Sequence, residues 1–214
     1  MLTAQTPQTG GFVGLTWGEP MEGGMARVVC LLGSPRANGS SDRLADRFAS
    51  AAEREGAEVV THALRDLRYQ GYMPPADGLY ETAEDDLDPV LADILETDVL
   101  VLATPIYFCD MTGLMKQALD RFDAFLADDA ETGRLRSLLG GDKTLVIIQV
   151  QGNDDAQHRD LLAHYKLAFD TLGFARQECL RACGIHDPRD LKAAPGLLES
   201  VDTLAADILR REYA

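Results

Sequence analysis

The stretch CLLGSPRANGSSDRLADRF, Cys30 to Phe48, joins two patterns of different period. Its lead-in, ARVVCLL (26–32), is a continuous apolar run, the mark of a strand buried on both faces. Beyond it, SSDRLADRFASAAEREG places Leu44, Phe48, Ala51 and Ala52 on one face at helical spacing and closes at Gly56, a residue suited to a helix C-terminus. The loop between them, GSPRANGSS (33–41), is too polar to be core and too short to be a linker.

The same alternation continues along the chain. AEVVTHAL (57–64) reads as a second strand, LDPVLADILET (87–97) as helix and DVLVLAT (98–104) as a buried strand. MTGLMKQALDRFDAFLADD (111–129) is predicted helical, with Leu114, Ala118, Leu119, Phe122 and Phe125 as its apolar stripe. KTLVIIQV (143–150) is the clearest strand, AQHRDLLAHYKLAFDTLG (156–173) a helix ending on glycine, and FARQECLRACGI (174–185) the last strand. PGLLESVDTLAADILRREY (195–213) closes the chain as a helix with Pro195 at its start. Five strands separated by helices predict an α/β fold: a parallel sheet with right-handed crossovers and helices on both faces. Ligands of such sheets bind at the carboxyl ends of the strands, which directs attention to the loops after Leu32, Ala103 and Val150.

Composition narrows the class. With 214 residues, 46% of them hydrophobic, the chain suits one globular domain, 25–214, preceded by a Gly/Thr/Pro/Gln-rich extension, 1–24. That extension carries Phe12, Val13, Leu15 and Trp17 and is read either as a tail or as an arm that docks Trp17. No signal peptide or membrane-spanning run is read, and four scattered cysteines suit a reducing compartment, so the expected location is cytoplasmic. A net charge of −15 disfavours nucleic acid and anionic membranes as partners.

Each of the three loops admits a plain reading and a ligand-binding one. GSPRANGSS precedes a helix start, where free N–H groups and the helix dipole favour an anion, and Ser34, Arg36, Asn38, Ser40 and Ser41 add donors suited to phosphate. Its plain reading is a βα turn capped by Ser40 or Ser41. ATPIYFCDMTG (103–113) bends at Pro105 and offers Ile106, Tyr107, Phe108 and Met111 as flat or pliable apolar surface, fit for a planar ring or for packing against another subunit. QVQGNDD (149–155) puts Gln149, Gln151, Gly152 and Asn153 at a strand end, as a polar edge for such a ring or as another turn.

Taken together, GSPRANGSSDRL, TPIYFCDMTGLMKQALDRF and QVQGND resemble the flavodoxin-like NAD(P)H-dependent FMN reductases, above all their iron–sulfur flavoprotein branch. The similarity runs over about residues 26–213, and the block carrying Pro105, Tyr107, Lys116, Asp120 and Arg121 is its most specific part. It implies a flavodoxin-like three-layer sandwich with strand order 2-1-3-4-5 and FMN as cofactor. Ser34, Arg36, Asn38, Ser40 and Ser41 would then hold the phosphate. Pro105, Ile106, Tyr107 and Phe108 would line the isoalloxazine, with Gln151 and Gly152 at its other edge. It also implies NAD(P)H as co-substrate, a small electron acceptor such as a quinone or free flavin, and a homodimer or homotetramer.

Two positions depart from the branch. Ser40 stands where Asn is usual, which keeps a donor. The loop 65–86, where the branch carries clustered cysteines, has none, with Tyr69 and Tyr72 at about the first two positions, so no iron–sulfur cluster is expected. Tyr69, Tyr72 and Met73 are instead candidates to wall a substrate pocket. Cys109 is read as a small apolar filler, Cys179, Cys183 and His186 as no metal site, and His62, His158 and His164 as solvated or capping. The acidic run ETAEDDLD (81–88) suits a helix start. The rival reading is a flavodoxin-like electron carrier that binds FMN without turning over nicotinamide, its acidic surface docking a basic redox partner. A third is a chain that keeps the fold without flavin.

Overall fold

The computed structural model describes residues 25–72, 85–129 and 131–212. The 1–24 extension, Met73 and most of the 65–86 loop lie outside the described residues. The elements follow in the order β1 (Arg27–Leu32), α1 (Ser40–Arg54), β2 (Glu58–Ala63), α2 (Asp88–Leu95), β3 (Val99–Pro105) and α3 (Gly113–Asp120), then β4 (Leu126–Asp128), β5 (Leu135–Ser137), β6 (Thr144–Val150), α4 (Leu161–Thr171), β7 (Arg176–Ala182) and α5 (Pro195–Glu212).

Five strands form one parallel sheet in the order β2-β1-β3-β6-β7, which is 2-1-3-4-5 when only its own strands are counted. The short strands β4 and β5 form a separate antiparallel pair, with Leu126 opposite Ser137. The period-2 alternation of buried strands decides which helices cover which face. Val28, Cys30, Leu32, Val101 and Val146 pack with Leu44, Phe48 and Ala52 of α1 and Val201, Ala205 and Ile208 of α5. Val29, Leu31, Leu100, Leu102 and Ile147 pack with Ile94 of α2, Met115 of α3 and Phe169 of α4. Each fully buried Leu, Ile or Phe stabilises the fold by about 1.5–3 kcal/mol relative to exposure, so both faces hold the sheet together. Among the described residues, no helix is long and apolar enough to cross a membrane.

Two predicted boundaries shift. The helix expected over 111–129 stops at Asp120, and Phe122 and Phe125 are buried from a 3-10 turn, Arg121–Phe125, with their rings edge to face at 5.3 Å. An i,i+3 apolar spacing serves a 3-10 turn as well as an α-helix, which is why the sequence overran it. The helix expected from Ala156 begins at Leu161, after a turn in which the Arg181 guanidinium holds the carbonyls of Asp155 and Gln157. Gly56 ends α1 as expected, at φ 92, and the N–H of Ala57 reaches back to the Ala52 carbonyl at 3.1 Å.

Candidate functional site

The carboxyl ends of β1, β3 and β6 lie side by side in the sheet, and their loops are tied to one another. The Gly33 N–H donates to the Ala103 carbonyl at 2.8 Å, and the Ile106 N–H to the Val150 carbonyl at 2.8 Å. Thr112, the N-cap of α3, accepts from the Met115 N–H at 3.1 Å and donates its hydroxyl to the Gly33 carbonyl at 2.7 Å. The buried Thr104 hydroxyl accepts from the Thr112 N–H at 3.3 Å. The three loops thus form one continuous rim.

In the first loop, α1 starts at Gly39 with no side chain capping it. Neither Ser40 nor Ser41 serves as the cap. They follow it as the first helical residues, Ser41 buried and Ser40 half-buried. The helix start therefore keeps N–H donors and the positive end of its dipole, with two hydroxyls beside them. Arg36 and Asn38 are exposed, Asn38 at φ 58. Ser34 has a different task. Its buried hydroxyl donates to the Arg36 carbonyl at 3.0 Å and accepts from the Arg36 N–H at 3.1 Å, which fixes the shape of the turn. A Cβ at position 39 would sit 3.3 Å from that hydroxyl, so glycine lets the turn close.

The loop's back is closed by a pair that the sequence reading passed over. Asp42 accepts from the Asn38 N–H at 2.9 Å and pairs with Arg65 at 3.0 Å. Burial pushes the Asp42 carboxyl above its usual range, and the Arg65 guanidinium opposes the shift.

The second loop exposes a hydrophobic shelf. Pro105 and Ile106 are half-buried, Tyr107 is 42% exposed and Phe108 fully exposed. Tyr107 and Asp110 exchange backbone hydrogen bonds of 2.9 and 3.2 Å across a tight turn whose central residues, Phe108 and Cys109, have φ of 52° and 72°. Two side-chain-bearing residues in the left-handed region make a costly primed turn. Cys109 is exposed on it, not a filler of the core. Asp110 is fixed from beneath by the Tyr165 hydroxyl at 2.9 Å.

The third loop turns inward. Gln149 and Gln151 are buried, and the Gln151 amide donates to the carbonyls of Asp154 at 2.7 Å and Gln157 at 3.1 Å while accepting from Gln149 at 2.5 Å. Its side chain is committed to the protein, so the outward part of this loop starts at Gly152. There the exposed His186 ring lies so close that a Cβ on residue 152 would come within 2.7 Å of its Nδ1. His186, from the segment after β7, is thus a rim residue that no motif announced.

Of the other tyrosines and histidines, Tyr69 donates its hydroxyl to the Leu114 carbonyl at 2.7 Å, and burial, helped by Asp85, pushes its phenol up to about 12. His62 pairs with Asp93 at 2.8 Å, and His164 stacks edge to face on Tyr165 at 4.9 Å. Among the described residues, no cluster of three His, Cys, Asp or Glu could hold a metal, Cys179, Cys183 and His186 included. The buried Arg121 clasps Asp85 at 2.7 Å, Asp88 at 2.8 Å and the Gln70 carbonyl at 3.2 Å. Asp88 does lie in the first turn of α2, as the acidic run suggested, but its partner is Arg121.

The donor set fits a flavin mononucleotide: an uncapped helix start with hydroxyls and an arginine for a phosphate, next to an aromatic shelf for a flat ring. Comparison with known proteins agrees. The pattern of the NADPH-dependent FMN reductase family matches residues 26–175. The Bacillus subtilis (strain 168) protein named "Putative NAD(P)H-dependent FMN-containing oxidoreductase YwqN" is 24% identical over 188 residues, 83% of this chain and 99% of its own. An iron-sulfur flavoprotein of Archaeoglobus fulgidus is 30% identical over 98 residues, 44% of each chain. Among solved structures, the FMN-dependent NADH-azoreductase of Bacillus anthracis in complex with FMN superposes with a TM-score of 0.63 at 15% identity, covering 85% of this chain and 99% of that one, a likeness of fold. With the family pattern spanning most of the sheet and all three loops, the chain belongs to the NADPH-dependent FMN reductase family.

Proposed function

We propose that this chain is an FMN-dependent NAD(P)H oxidoreductase that passes electrons from a reduced nicotinamide to a small acceptor such as a quinone or free flavin. The observation that carries the reading is the uncapped start of α1 beside the Tyr107–Phe108 shelf, within a chain of the FMN reductase family. Arg36, Asn38, Ser40 and Ser41 would bind the phosphate, on a turn that Ser34 shapes. Pro105, Ile106, Tyr107 and Phe108 would line the isoalloxazine, with Gly152 and the inward-held Gln151 at its other edge. FMN, when bound, supplies the two-electron chemistry. The chain's own residues bind, orient and shield, and no acid–base triad is assigned.

The working unit in this reading is one flavodoxin-like three-layer sandwich over 25–214, with 1–24 as an extension, acting in the cytoplasm as a homodimer or homotetramer. It is read as cluster-free because no cysteine falls within 65–86, and a cluster needs thiolates. No observation favours the electron-carrier alternative. The test is the visible spectrum of the purified protein before and after addition of FMN and gel filtration. Flavin bands that survive filtration and bleach on adding NADH or NADPH are expected, whereas a protein that will not retain FMN would overturn the reading.

A further inference from the structure

β1 and β2 run parallel with Leu32 opposite Ala63, so the chain just past β2 rises beside the start of the first loop. Arg65 lies there, in the 3-10 turn Leu64–Asp66, with its side chain 17% exposed. Its Nη1 donates to the Ser34 carbonyl at 3.2 Å and pairs with Asp42 Oδ2 at 3.0 Å. The same Asp42 oxygen accepts from the Asn38 N–H at 2.9 Å. The turn from Ser34 to Asn38 is thereby held at both ends by one bridge: carbonyl, guanidinium, carboxylate, amide.

This bridge has a cost that the fold alone does not require. The Asp42 side chain is 4% exposed, and its Oδ1 has no hydrogen-bond partner among the described residues. A buried, half-satisfied carboxylate in the first turn of α1 also places negative charge where a phosphate dianion would arrive. Arg65 offsets both penalties. It neutralises Asp42 and leaves the helix start and Arg36 to act on the anion. A neutral capping residue would have ordered the helix without any of this.

We propose that Asp42 and Arg65 are positioning residues for the phosphate of the flavin nucleotide: they set the turn of residues 34–38 from behind without serving as its ligands. The inference rests on the functional reading above. It predicts an effect specific to the phosphate, because riboflavin carries the same ring and lacks that group.

The experiment titrates apo-protein with FMN and, separately, with riboflavin, following flavin fluorescence, for the wild type, Arg65→Gln, Arg65→Lys and the double variant Asp42→Asn/Arg65→Gln. Arg65→Gln should weaken FMN about tenfold or more and leave riboflavin within about twofold, while Arg65→Lys, which keeps the charge, recovers most of the loss. Should Arg65→Gln fail to fold, the double variant, which leaves no unpaired buried carboxylate, carries the same expectation. FMN affinity unchanged in that variant, or both flavins weakened alike, overturns the proposal while the oxidoreductase reading stands. A wild-type protein that binds neither flavin overturns that reading and the proposal with it.

Discussion

The hydroxyl of Thr112 donates to the carbonyl of Gly33 at 2.7 Å, joining the N-cap of α3 to the first residue of the loop after β1. A Cβ at Gly33 would approach Met115 Cε at 3.0 Å and the Thr112 hydroxyl at 3.2 Å, so the two loops are as close as backbone allows. The phosphate turn and the aromatic shelf are therefore one mechanical unit. Thr112→Val keeps the shape, removes the cap and strands a buried carbonyl, at a cost of about 2 kcal/mol. Urea unfolding should show that loss, with Thr112→Ser close to wild type. A Thr112→Val protein as stable as its parent would mean that the two loops stand independently.

Arg121 is 4% exposed and holds Gln70 on one side of the long loop and Asp85 on the other. Arg121→Met retains its bulk but leaves two part-buried carboxylates unpaired, so a destabilisation of about 2–3 kcal/mol is expected. Arg121→Lys should recover little, because one ammonium cannot reproduce a fork that spans Asp85 and Asp88. Tryptic cleavage after the exposed Arg68 should accelerate in both variants well below their melting temperatures. Cleavage at the wild-type rate would show that the clasp does not order this segment.

The strand order and the three site loops were legible because buried parallel strands and amphipathic helices differ in period, and because ligand loops follow the strands' carboxyl ends. The direction of Gln151 was also there to read. Leu145, Ile147, Gln149 and Gln151 share one side of β6 by strict alternation, and that side faces α4. The partners of Asp42 and Arg121 were not legible, since Arg65, Asp85 and Asp88 are brought to them only by the crossovers. Nor was the conformation of Phe108 and Cys109, which no local propensity favours.

Cys30 is fully buried between β2 and β3, and burial pushes its thiol up to about 12 from 9.0. The native state keeps this proton while the unfolded chain loses it, so stability falls as pH rises from about 9 towards 12, at roughly 1.4 kcal/mol per pH unit. Below pH 9 the group contributes nothing to pH dependence. Cys30→Ala should flatten the alkaline limb of a plot of stability against pH, though it lowers the plateau by removing buried volume. In the native protein, an aromatic disulfide reagent should label the exposed Cys109 at once and Cys30 only on unfolding. An unchanged alkaline slope in Cys30→Ala would assign that slope to other groups.

The turn at Phe108 and Cys109 ties stability to function most directly. Both residues occupy the left-handed region, and the Phe108 ring is fully exposed, so the fold gains no packing from it in return. Backbone strain of this kind persists where a ligand uses the result. Replacing the pair by Asn-Gly, whose conformational preferences match a primed turn, should raise stability by about 1 kcal/mol. The same change removes the shelf's outermost aromatic face. With FMN bound, the Michaelis constant for the nicotinamide or for the acceptor should then rise several-fold, while kcat changes less, because only ground-state contacts are lost. Higher stability with both Michaelis constants unchanged would show that Phe108 serves another surface of the molecule. Lower stability would mean that the turn is not strained.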